Sequence, residues 1–116
     1  MSALAAAPVV PLCTTKKAVA PKTWTLACAD GNFWLSGLQW KDWGAARTTA
    51  SGVAHANDCT PNCAAGHFHT HAAVVTLTGT RVCAGRRQYA KLAVSYPGGK
   101  SAVFRPLTES IDCRYP

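Results

Sequence analysis

Acidic residues are scarce: five in 116, against 12 lysines and arginines, for a net charge of +7. Paired carboxylates for acid–base hydrolysis are hard to assemble from so few. Asp30 and Asp58 fall in turn sequences, where Asp bonds nearby backbone. Asp42, Glu109 and Asp112 are scattered along the rest of the chain. No G-x-S-x-G nucleophile elbow occurs. No apolar run approaches the roughly 18 residues of a membrane span, and no stretch of useful length carries a helical period or a repeat. Basic residues adjoin only at Lys16-Lys17 and Arg86-Arg87, with no aromatic interleaving, which argues against nucleic acid. The sequence thus points away from a helical fold, a membrane-spanning helix and an enzyme. Its charge favours an anionic cell-envelope component among possible partners, with a protein as the other class.

Six cysteines are present, at positions 13, 28, 59, 63, 83 and 113. An even number at wide spacing reads as a disulfide framework, and such bonds persist in oxidising compartments. The expected location is therefore extracellular. Ala5-Ala6-Ala7-Pro8 has the small residues of a signal-peptidase site. We read residues 1–22 as a leader remnant and flexible arm, and 23–116 as a single β domain.

From Thr23 onward the pattern is that of short strands and turns. Thr23–Cys28 alternates polar and apolar residues, as a half-buried strand does. Asp30-Gly31-Asn32 is a hairpin turn. Phe33–Ser36 resumes the strand, with Gly37 marking a bulge or close packing. Phe33 and Trp34, as neighbours, face opposite ways. Lys41–Gly44 turns the chain, with Trp43 as an aromatic anchor. Ala45–Ala56 is a long strand whose small inner residues (Ala46, Thr48, Ala50, Gly52, Ala54) leave room for Trp34, Trp40 and Trp43 to dominate the core. Residues 57–66 are a loop and His67–Thr78 is a β-branched strand. Gly79-Thr80 is a turn. Residues 87–96 alternate with Ala90, Leu92, Val94 and Tyr96 inward. Pro97–Lys100 is a hairpin turn and Ser101–Arg105 a return strand. Strands separated by turns predict an all-β fold, a small antiparallel β-sandwich or barrel stapled by disulfides.

The aromatic set of Trp24, Phe33, Trp34, Trp40, Trp43, Tyr89 and Tyr96 could stack on sugars where exposed, core packing being the commoner use. Two further constellations could carry chemistry. Cys59-x3-Cys63, around Pro61-Asn62, is compact enough for a local disulfide that shapes a binding loop with Asn57, Asp58 and Asn62. His67-x-His69-x-His71, on a strand, would place three imidazoles on one face, with His55 on the preceding strand. Such a face suits Zn or Cu. A zinc site of Cys59, Cys63, His67 and His69 would need free thiolates, so it competes with the disulfide.

Between Thr25 and Pro97 the chain resembles small secreted actinobacterial proteins of unknown function. The carrying residues are Cys28–Asn32, the Trp40-x2-Trp43-Gly44 segment, Ala50-Ser51-Gly52, Asn57–His69 with its N-D-C-x-P-N-C-A-x-G run, and Val94–Pro97. The resemblance implies secretion and a cysteine-fixed core, and no activity. Cys13 and Cys113 lie outside it, which implies an added staple between them and leaves Cys28 to pair with Cys83. The leading expectation is a secreted, non-enzymatic binding or cell-surface module without a cofactor. The alternative is metal handling by His67, His69 and His71.

Overall fold

The computed structural model describes residues 7–13, 16–99, 101 and 103–113. Eight strands run β1 (Val10–Pro11), β2 (Lys17–Ala18), β3 (Trp24–Thr25), β4 (Phe33–Lys41), β5 (Arg47–Asn57), β6 (Phe68–Cys83), β7 (Arg86–Ser95) and β8 (Leu107–Ser110). Strands β3 to β8 form one antiparallel sheet in sequence order, and β1 and β2 form a separate two-stranded sheet. The large sheet curls into a half-barrel stapled by three disulfides.

Alternation along β5 explains both the curl and the core. Its inward residues are Thr48, Ala50, Gly52, Ala54 and Ala56, and Arg47, Thr49, Ser51, Val53 and His55 alternate on the other face. Small side chains inside the curve make room for larger ones from neighbouring elements. Leu35, Val75, Leu77, Leu92 and Val94 fill that space together with Trp24. Gly52 has no room for a side chain: a Cβ there would come within 2.7 Å of the Ser36 carbonyl and 2.8 Å of the Leu38 side chain.

The crowding at Gly52 has a cause in β4. The register slips between Ser36 and Gln39, and Gly37 adopts a left-handed φ of 61°. Gly37 and Leu38 together oppose Gly52, which is a β-bulge. The extra residue reverses the side-chain parity of the strand. Leu35 faces inward before the bulge and Leu38 after it, and both are buried. Trp34 is left on the outer face, so the expectation that it joins the core does not hold. It is half-buried against His55, whereas Trp24 is the fully buried indole. Trp40 and Trp43 pack at the margin of the core, in edge-on contact at 4.8 Å.

Strand β6 runs through Gly79 instead of turning there. Gly79 takes a left-handed φ of 65° while pairing with β7 continues in unbroken register from Thr78 to Thr80. The turn lies at Ala84-Gly85, both at positive φ, between the paired residues Cys83 and Arg86. Two consecutive left-handed residues match the right-handed twist of the flanking strands. The return strand after Tyr96 also comes later than expected, at Leu107–Ser110, following Pro106 rather than ending at it. Lys100, in the expected turn, lies outside the described residues.

Residues 1–6, which include Ala5 and Ala6 of the expected cleavage site, also lie outside the described residues. Described residues further along the expected arm make contacts with the sheet. Val9 and Val10 are buried, and Val9 bridges Gln88 of β7, receiving a hydrogen bond from the Tyr89 amide. The Pro8 and Pro21 carbonyls accept the indole N–H groups of Trp43 and Trp40.

All six cysteines are bonded, Cys59 with Cys63, Cys13 with Cys28, and Cys83 with Cys113. The last two correct the pairings implied by resemblance. Cys28 follows β3 at one edge of the sheet and Cys83 ends β6, three strands away. At about 4.8 Å per strand that gap exceeds disulfide reach. Cys28 instead meets Cys13, just beyond β1, and Cys113 folds back from β8 onto Cys83.

Candidate functional site

The loop between β5 and β6 is built from hydrogen bonds within itself. The Asn57 side-chain amide donates to Asn32 Oδ1 at 3.0 Å and to the Cys63 carbonyl at 2.9 Å, and its Oδ1 accepts the Cys59 N–H at 2.8 Å. Asn62 Oδ1 accepts the Ala65 N–H at 2.9 Å. The Cys59–Cys63 disulfide closes this turn, and the Thr60–Pro61 peptide bond is cis. Gly66 passes so close that a Cβ would strike Asn57 Oδ1, Asp58 Oδ1 and the Cys59 nitrogen. Of the residues expected to offer a binding loop, Asn57 therefore spends its whole side-chain amide, and Asn62 its Oδ1, on holding the loop's shape.

Asp58 does the same with a charge. Its Oδ1 accepts the His67 N–H at 3.0 Å and the Thr60 N–H at 3.1 Å, and its Oδ2 lies 2.8 Å from His69 Nε2. The His67 backbone bond is the largest influence, followed by His69 and Thr60, and together they hold the carboxyl well below the usual carboxylate range. Hydrogen bonds donated to an ionised carboxylate favour the charged form.

The four histidines do not converge. His67 precedes β6 and is exposed, so the period-2 argument does not reach it. His69 is taken up by Asp58. His71 packs against Tyr96 and Phe104, with centroids at 5.7 and 5.5 Å, and its Nδ1 bonds the adjacent Ala72 carbonyl at 2.7 Å. His55 pairs in register with Thr70, whereas Ala54 pairs with His71 and Ala56 with His69. Cross-strand partners share a face, so His55 lies on the opposite side of the sheet from His69 and His71. Cys59 and Cys63 are bonded and supply no thiolate. Among the described residues no three or more His, Cys, Asp or Glu side chains gather to hold a metal ion. The expected Zn or Cu face is thus dispersed by strand parity and by the late start of β6.

His55 makes a different arrangement. Its ring lies flat against Trp34 at 3.7 Å and 3° from parallel, and its Nε2 is 2.8 Å from Ser36 Oγ. A serine beside an imidazole is the beginning of a nucleophile–base pair. This one stands on the outer sheet face, and neither residue lines the pocket described next.

That pocket, of about 290 Å³, opens beside the loop where the ends of β4, β5, β7 and β8 meet. Phe33, Tyr96, Val103 and Leu107 contribute apolar walls, and Asn32, Asn57 and Arg105 contribute polar groups. Phe33 and Ala56 are register partners, as are Val94 and Leu107, so pairing across the sheet places these walls. Sequence reasoning singled out Asn57 here and counted Phe33 and Tyr96 among the aromatics, but it did not single out Arg105. The opposite facing of Phe33 and Trp34 was the one signal that could have found part of it. The chain matches no family model, no curated protein and no solved structure.

Proposed function

We propose that this chain is a secreted, non-enzymatic binding module, akin to small actinobacterial exported proteins, that takes its ligand at the disulfide-shaped end of the sheet. The observation that carries the reading is the pocket of about 290 Å³ beside a loop already fixed by its own hydrogen bonds and the Cys59–Cys63 bridge. A pre-set site loses little entropy on binding. Concave sites with apolar walls and a few polar groups are the usual form of small-molecule sites. Three disulfides support export, because they persist in oxidising compartments. The net charge of +7 supports an anionic cell-envelope component as the source of the ligand.

The test is a fragment screen followed by amide proton–nitrogen correlation spectra of the intact, oxidised protein. Binding fragments are expected to shift Phe33, Asn57, Tyr96 and Leu107 together. Hits that scatter over the outer sheet face, leaving those four unmoved, would refute the assignment.

A further inference from the structure

The chemical class of ligand follows from which pocket groups remain uncommitted, given the binding reading above. Both amide protons of Asn57 are spent, one on Asn32 and one on the Cys63 carbonyl. Asp58, its neighbour in sequence, is held by His67, His69 and Thr60. Arg105 is exposed, and among the described residues it has no ion pair or hydrogen bond. Tyr96 is buried, and its phenol is pushed up in pKa by that burial, so it stays neutral. The pocket therefore combines apolar and aromatic walls with one unpaired cation and no free acid among its lining residues.

We infer that this pocket takes a small monoanion with an apolar, aromatic body, such as an aryl carboxylate. At about 290 Å³ it sits just below the roughly 300 to 1,000 Å³ of ligand pockets, so a compact ligand fits. A guanidinium meets a carboxylate through two parallel N–H bonds, which gives orientation as well as attraction. Phe33 and Tyr96 supply ring edges and faces for the ligand's own ring. The absence of a free carboxylate in the lining removes the repulsion that would otherwise oppose an anion.

Phenylacetate and phenylacetamide share a shape and differ in charge, and they provide the test. Each is titrated into the intact, oxidised protein while the amides of Phe33, Asn57, Tyr96 and Leu107 are followed. Phenylacetate is expected to bind about tenfold tighter than the amide, the scale of one charge-assisted pair. Arg105→Gln should abolish that preference by weakening phenylacetate about tenfold more than phenylacetamide. Arg81→Gln, on the distant β6–β7 hairpin, should alter neither. Equal affinity for the two probes at the pocket would overturn the anion assignment while the binding reading stands. Shifts from neither probe at the four amides would count against both. Arg105 is exposed, so its variant is expected to fold, and an unchanged spectrum away from the pocket verifies this.

Discussion

The carboxylate of Asp58 and the imidazole of His69 meet at 2.8 Å across the mouth of a loop that Asp58 also ties to the backbone of His67 and Thr60. Its folded pKa lies below the unfolded value, so the sign is that of a stabilising carboxylate. The contribution is complete above the unfolded Asp pKa of about 3.9 and is lost as pH falls from there through the folded value. Protection of the Thr60 and His67 amides, corrected for intrinsic exchange, should therefore decline below about pH 4. Asp58→Asn should show reduced protection at neutral pH and a flat profile in acid. Profiles for the two proteins that run parallel would contradict this account.

Tyr89 reaches across the molecule to the β4–β5 turn. Its hydroxyl donates to the Ala45 carbonyl and accepts the Gly44 N–H, both at 2.8 Å, from a fully buried ring. Tyr89→Phe removes both bonds and leaves two turn groups to find water. A loss of about 1–3 kcal/mol is expected in denaturant unfolding. A midpoint unchanged from the parent would refute this account.

The disulfides should differ in worth. Cys83–Cys113 spans 30 residues and Cys59–Cys63 only four. On the chain-entropy model the first contributes about 3.7 kcal/mol and the second about 2 kcal/mol. Paired Cys→Ala variants should unfold in that order. The short-loop variant should stay folded and lose protection chiefly within residues 57–66.

Gly66→Ala tests the packing of the same loop from inside. The added methyl would meet the Cys59 nitrogen at 2.8 Å and Asp58 Oδ1 at 2.9 Å, both parts of the hydrogen-bond network. Overpacking of this kind costs about 1–3 kcal/mol. The expected result is lower stability with chemical-shift changes centred on Asn57, Cys59 and Asp58, and wild-type shifts there would refute it.

Local features were the legible ones. Alternation through Thr48–Ala54 identified the inner face of β5, and Gly37 located the bulge. The strand expected over Thr23–Cys28, however, stops at Thr25, so Asp30–Asn32 closes a longer connection and not a tight hairpin. Features decided by distant partners were not legible. Nothing near Trp34 announces that one inserted residue downstream places it on a different face from Trp40. Gly79-Thr80 carries a stronger turn signal than Ala84-Gly85, yet β7 pairs across the first and the chain reverses at the second. The histidine cluster failed because a two-residue period applies only inside a strand, and β6 begins at Phe68. The pocket joins Phe33 to Arg105 across more than half the chain, and no local pattern links them.

The order of strands gives two of the disulfides a meaning beyond loop entropy. The sheet ends in β3 and β8, of two and four residues, while the long strands β5, β6 and β7 lie between them. Where β8 stops short, Val9 takes over the edge of β7. Cys28 sits three residues after β3 and Cys113 three after β8, so each edge piece is moored by its own covalent tether. Long unpaired strand edges recruit other chains. A reducing medium would release both moorings and with them the edge pieces that cover β4 on one side and β7 on the other. Solubility itself, and not stability alone, would then depend on the redox state of the medium.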